Sequence, residues 1–147
     1  MAGRSSHPLL SCADGAAAKS SDTLLLIGRL MIAALFLMTV WGGGPNAAYL
    51  KSINYVAPEA MSVLARVVEW IIVVALILGI GTRYAALLAF VFVVVAFVTA
   101  HRYWGYPEAA QTLQFTLLSK DIAIAGGALL LFVTGGGRFA VDEKLRA

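Results

Sequence analysis

The chain has a single cysteine, Cys12, in a polar N-terminal stretch. With no second thiol and no CxxC motif, an internal disulfide, a two-thiol relay and a cysteine-ligated iron–sulfur cluster are excluded within the chain. Histidine is scarce as well. His7 lies near the N-terminus and His101 at the end of an apolar run, a placement unsuited to joint ligation of a haem. Charge is the third shortage: 13% of residues are charged, against about a quarter in an average soluble domain. The net charge of +3 comes from basic residues spread singly, so no basic stripe is offered to nucleic acid. The glycine-rich "GGGP" and "TGGGRF" lack a Walker lysine and a strand–turn–helix setting, so no phosphate site follows. No HExxH, no Ser/His/Asp set and no acidic metal cluster is visible.

What the chain does have is apolar surface. Of its 147 residues 61% are hydrophobic, and the mean hydropathy is +0.86. One domain of this length cannot bury so much in a single water-soluble core, so the surplus must face lipid. Four apolar stretches, at about 23–41, 59–80, 83–100 and 113–134, each approach the ~20 residues that cross a ~30 Å hydrocarbon layer. The third contains "YAALLAFVFVVVAFVTA", too long and uninterrupted for a buried strand. The fold class expected is all-α, a polytopic bundle of four transmembrane helices spanning 23–134. Residues 1–22, small and polar without a sustained period, read as a mobile cytoplasmic tail, and 135–147 as a C-terminal cytoplasmic tail. A signal peptide is the competing reading of the N-terminus, but the apolar run comes late and lacks a cleavage site.

The connections sharpen this picture. "GIGTRY" is tight and makes the second and third helices antiparallel neighbours, whereas "GGGPNAAYLKSINYVAP" and "HRYWGYPEAAQT" are longer and rich in interfacial aromatics. Arg4, Lys19, Arg83, Arg138, Lys144 and Arg146 lie in the tails and the tight turn, while the two longer loops hold Lys51 and Arg102. Six against two places both termini in the cytoplasm of a bacterial inner membrane. Small residues four apart, Ala85/Ala89, Ala96/Ala100 and Ala123/Gly127, suit close helix approach in lipid.

Five charged residues fall within the spans: Arg29, Arg66, Glu69, Lys120 and Asp121. Each costs ~2.5–3.5 kcal/mol at a bilayer centre, so each needs a reason to be there. Glu69 lies ~13–15 Å below the outer edge, near the midplane. Arg66 is one turn shallower, and Lys120 and Asp121 lie ~8–12 Å deep beside His101 at the outer boundary. Side chains on the second and fourth helices lean outward, which brings Arg66, Glu69, Lys120 and Asp121 toward His101 as one outer pocket. Positions 120 and 121 differ by ~100° around the helix, so only one of them points squarely inward. The competing reading is a self-contained Arg66–Glu69 pair, with Lys120 and Asp121 at a frayed helix start. Arg29 either snorkels to the inner headgroups or reaches toward Glu69. Desolvation and nearby cations act on the Glu69 carboxyl in opposite senses, which suits it to proton exchange, and His101 is the second candidate.

These residues carry a resemblance. "GRLMIAALFL", "RVVEWIIVVALILGIGTRYAALL", "VTAHRYW", "KDIAIAGGALLL" and the closing "GGGRFAVDE", in this order from about residue 24 to 143, resemble the DoxX family of small four-helix bacterial membrane proteins. The family's closing Gly-Pro-Gly-Arg has Gly136 in the proline's place here. The resemblance implies a redox-associated membrane subunit, since some relatives are described as the quinone-reducing subunit of a thiosulfate oxidoreductase. Others are associated with a superoxide dismutase and a sulfurtransferase in oxidative-stress defence. It maps polar positions onto Arg29, Glu69, His101 and Lys120, with Arg83 and Arg138 at the inner turns. Arg66 and Asp121 rest on the charge reading alone. The expectation is therefore proton exchange by Glu69 and His101, substrate contacts from Arg66, Lys120, Asp121 and Arg29, and quinone as a candidate substrate. No cofactor is expected within the chain, and redox partner proteins supply electrons. The alternatives are a non-catalytic scaffold or anchor for redox enzymes, or a small proton-coupled transporter.

Overall fold

A backbone surrounded by hydrocarbon must bond its own N–H and C=O groups within the segment, and a helix does so. The computed structural model describes residues 8–44 and 46–145, with side chains from Cys12 onward; His7, Arg4 and Arg146 lie outside the described residues. Helices cover all four apolar stretches: α1 (Pro8–Trp41), α3 (Pro58–Leu78), α4 (Thr82–Thr99) and α5 (Glu108–Thr134). A short α2 (Ala47–Ser52) and α6 (Val141–Lys144) flank them, with a single 3-10 turn at Tyr103–Gly105. Each of the four long helices is apolar and long enough to cross a membrane. Among the described residues there is no strand.

Two boundaries differ from the sequence reading. Residues 8–22, expected as a mobile tail, form the first turns of α1, with the side chains of 12–21 exposed. No proline follows Pro8 there, and Ala16 to Ala18 favour a helix that accommodates Gly15. Helix α5 begins at Glu108 instead of 113, because Pro107 (φ −55°) sets up the entry and Glu108 complements the positive end of the helix dipole.

The predicted tight turn is present. Gly79 adopts φ +70° and its N–H donates to Ala75 O at 2.8 Å, ending α3, while Gly81 at φ +58° opens α4. Around this hairpin Ile72, Val73 and Leu76 of α3 join Ala85, Ala86 and Ala89 of α4, Ala125 and Ala128 of α5, and Ala33 and Phe36 of α1 in one buried core. Alanines at these positions let helices approach closely where lipid offers no hydrophobic drive. On α5 the buried series is Ala125, Ala128 and Leu131; Ala123, half of the expected Ala123/Gly127 pair, faces outward. The outward residues are large and apolar, among them Met31, Met38, Val67, Ile71, Val91, Ile122 and Val133. Such a surface needs lipid, not water.

The bundle has a tail end, where the α3–α4 turn meets the C-terminal segment, and a loop end, where α2 and the 3-10 turn lie. At the tail end Asp142 clamps the hairpin. Its Oδ1 accepts from Gly81 N–H at 2.6 Å and its Oδ2 from Thr82 N–H at 2.7 Å, while its own N–H donates to Gly79 O at 3.0 Å. Arg29, 1% exposed, lies beneath and donates from Nη1 to Gly136 O at 3.3 Å, with the Asp142 carboxylate as electrostatic partner. It therefore neither snorkels to headgroups nor reaches Glu69. The buried carbonyl and the carboxylate at the hairpin hold it at this depth. A Cβ on Gly136 would come within 2.6 Å of Ala140 Cβ and 2.7 Å of Thr82 Oγ1, so that turn has no room for a side chain. Arg83 donates from Nη1 to Phe132 O and Val133 O, both at 2.7 Å, covering the last carbonyls of α5. Asp142→Ala removes two charge-assisted caps and is expected to destabilise the protein by about 2 kcal/mol. Thermal unfolding in mild detergent measures this, and an unchanged midpoint would remove the clamp from the account.

Candidate functional site

Buried polar groups in the half of the bundle toward the loop end form two centres. The first is Glu69, 2% exposed in mid-α3. Thr39 on the last turn of α1 places its Oγ1 2.9 Å from Glu69 Oε1 and 2.7 Å from Phe36 O. The single hydroxyl proton is donated to one of these acceptors or shared between them. Glu69 Oε2 has no hydrogen-bond partner among the described residues. It faces the Gly42–Gly44 turn that follows α1: a Cβ on Gly44, whose φ is +37°, would lie 3.4 Å from Oε2 and 3.2 Å from Thr39 O. Glycine at 44, with its positive φ, lets the turn pass close over this buried oxygen.

The second centre joins α4 to α5. His101 Nδ1 lies 2.5 Å from Asp121 Oδ2, with side chains 19% and 7% exposed. Just before it, Ala100 O accepts from Tyr106 OH at 2.8 Å and from Tyr49 OH at 3.2 Å, and the two phenol oxygens are 3.5 Å apart. Gln114 is buried on the same face of α5, seven residues before Asp121. Burial, then the hydrogen bond with Tyr106, pushes the Tyr49 phenol above its ordinary range. Its contribution to stability is thus complete below ~pH 10 and is lost as pH rises through the folded-state value. At physiological pH Tyr49 is a fixed donor.

The expected single pocket does not form. Arg66 is exposed and lies across the Gly42–Gly44 turn, its Nη2 donating to Gly43 O at 3.4 Å, without an ion pair to Glu69. Positions three apart are offset by ~60° around a helix, and here Glu69 takes the sector facing α1 while Arg66 takes the rim. Lys120 is exposed as well, because Asp121 is the member of that pair turned inward. No hydrogen bond or ion pair links the Glu69 centre to the His101 centre among the described residues. Thr39, Tyr49, Tyr106 and Gln114 were not expected; a neutral side chain in an apolar or aromatic run gives no sequence signal of its role. No group of three or more His, Cys, Asp or Glu residues comes together among the described residues.

A family model described as DoxX matches residues 24–102, more than half of the chain. Among curated proteins, inner membrane protein YphA of Escherichia coli (strain K12) is 28% identical over 125 residues, covering 82% of this chain and 89% of that protein. Inner membrane protein YqjF of the same organism is 29% identical over 133 residues, 86% of this chain and 95% of that one. No solved structure matches.

A double-mutant cycle separates partnership from proximity at the second centre. His101→Ala and Asp121→Ala are each expected to destabilise the protein, and the double variant by less than their sum, with a coupling of about 1–3 kcal/mol. Arg66→Gln and Lys120→Gln should each shift stability by less than about 0.5 kcal/mol. Additive effects at 101 and 121 would dissolve the pair.

Proposed function

Since the chain belongs to the DoxX family and is a multi-pass inner membrane protein, we propose that it is a redox-associated subunit whose loop end meets a quinone headgroup. The observation that carries this reading is the buried His101–Asp121 pair. Asp121 engages Nδ1 and so fixes the ring, leaving Nε2 as the nitrogen that meets a ligand. In its doubly protonated form the imidazole donates from Nε2 to a quinone carbonyl oxygen and delivers that proton as the oxygen gains electron density. The electrons come from a partner protein or a second substrate such as thiosulfate. Glu69, which accepts from Thr39 at Oε1 and has a second, unpartnered oxygen facing the Gly42–Gly44 turn, is the deeper candidate for proton exchange. The excess of Lys and Arg in the tails and the α3–α4 turn supports a cytoplasmic tail end, which puts the His101 centre on the far side.

A second reading, a membrane anchor for redox enzymes, draws on Arg66 and Lys120, two exposed cations on the helix surfaces. Binding separates the two. Purified protein in nanodiscs is expected to bind a short-chain quinone, and His101→Gln to weaken binding by about tenfold, equivalent to ~1.4 kcal/mol. Glu69→Gln retains an amide donor for Thr39 and keeps the protein in the membrane, but loses quinone-linked proton uptake. Absence of quinone binding by the wild type, or full activity in Glu69→Gln, would sink the redox reading. Loss of partner recovery in Lys120→Gln would favour the anchor.

A further inference from the structure

The α3–α4 hairpin is closed at the tail end and open at the loop end. Near the Gly79–Gly81 turn the two helices are held together by Ile72, Leu76, Ala85 and Ala89. Farther along, small residues on both, Ala65 and Ala96, leave a slot of about 320 Å³ between them, and Leu50 of α2, 4% exposed, roofs it. Its walls are almost wholly apolar, and it opens sideways past Leu64, Val91 and Val95, which are about half exposed on the lipid-facing surface.

The shape decides what can enter. The slot is walled by α3 and α4 and roofed by Leu50 of α2, so it is entered from the side that faces lipid and not from the loop end. A single hydrocarbon chain is thin enough and reaches the lateral opening from the bilayer itself. Charge at the roofed end completes the match. Lys51 follows the roof residue Leu50, and Arg102 follows the slot residue Ala100 by two positions; both side chains are exposed. Lys51 holds Glu59 at 2.5 Å, whereas Arg102 forms no ion pair among the described residues. A phosphate at headgroup level would meet that guanidinium.

We propose that the α3–α4 slot is a phospholipid site: one acyl chain of an anionic phospholipid from the loop-end leaflet lies between the helices, with its phosphate at Arg102. The site stands independently of the quinone reading, because it uses neither His101 nor Glu69.

The test uses the full chain in nanodiscs containing phosphatidylglycerol with a diazirine on one acyl chain. Photolabelling is expected at Leu64, Val91 and Val95 above that at Leu130 and Val133, which face lipid on α5. Ala96→Phe fills the slot and should lower that labelling about tenfold, equivalent to ~1.4 kcal/mol; Ala65→Leu serves as the second filling variant if Ala96→Phe does not fold. Arg102→Gln should remove the preference for phosphatidylglycerol over phosphatidylcholine carrying the same label. Even labelling of all lipid-facing residues, or labelling unmoved by either filling variant, overturns the proposal. So does stoichiometric recovery of a prenyl quinone from the slot in place of phospholipid, although that result would support the quinone reading.

Discussion

A polar group in the hydrocarbon region has no water to fall back on, so its partner must come from the protein. That demand organises this small bundle. Asp142 reaches two backbone N–H groups at the start of α4, and Arg29 reaches a carbonyl of the same closing segment. Arg83 covers the carbonyls that end α5. Toward the other end the same demand pairs Glu69 with Thr39 and His101 with Asp121. Each pairing ties a helix to another helix or to the segment that follows one, so the rule that satisfies single groups also holds the bundle together.

The pairings are not equally complete. At the tail end the clamp on the hairpin uses both carboxylate oxygens of Asp142. At Glu69 the Thr39 hydroxyl meets Oε1 while the buried Oε2 has no hydrogen-bond partner among the described residues, and at His101 Asp121 engages Nδ1. The tail end is not saturated either, since Arg29 Nε and Thr82 Oγ1 are buried without a hydrogen-bond partner among the described residues. The three centres differ in depth: Glu69 is fully buried, whereas Asp142 and His101 are partly buried.

Much of the fold was legible in the sequence. Four apolar stretches, the glycine-flanked hairpin turn and the small residues of α4 each follow from a property the backbone imposes everywhere in lipid. The ~100° step between Lys120 and Asp121 correctly required one to turn away. What sequence could not supply was direction around the helix. Arg66 and Glu69 share a face by spacing, yet neighbours rotate Glu69 toward α1 and leave Arg66 on the rim. Arg29 looked like a snorkelling residue because Asp142, its counter-charge, lies 113 positions away in a segment read only as a tail. Thr39 and Gln114 acquire their roles only from what packs against them. The start of α1 was missed for another reason: a polar, alanine-rich stretch carries no periodicity, yet the helix still propagates through it.

Helix α1 stops two residues after Thr39, which is bonded to a residue only about halfway along α3. Above that level the six-residue α2 takes the place of α1 beside α3, with α4 still flanking it. The molecule is thus built in two tiers, a base of four long helices tied by the hairpin clamp and a crown of three helices under a short cover. Local opening follows the density of buried contacts, so the crown is where motion is cheapest. The Glu69 and His101 centres and the apolar slot lie in or at the edge of that softer tier, where a visitor can be admitted without loosening the base.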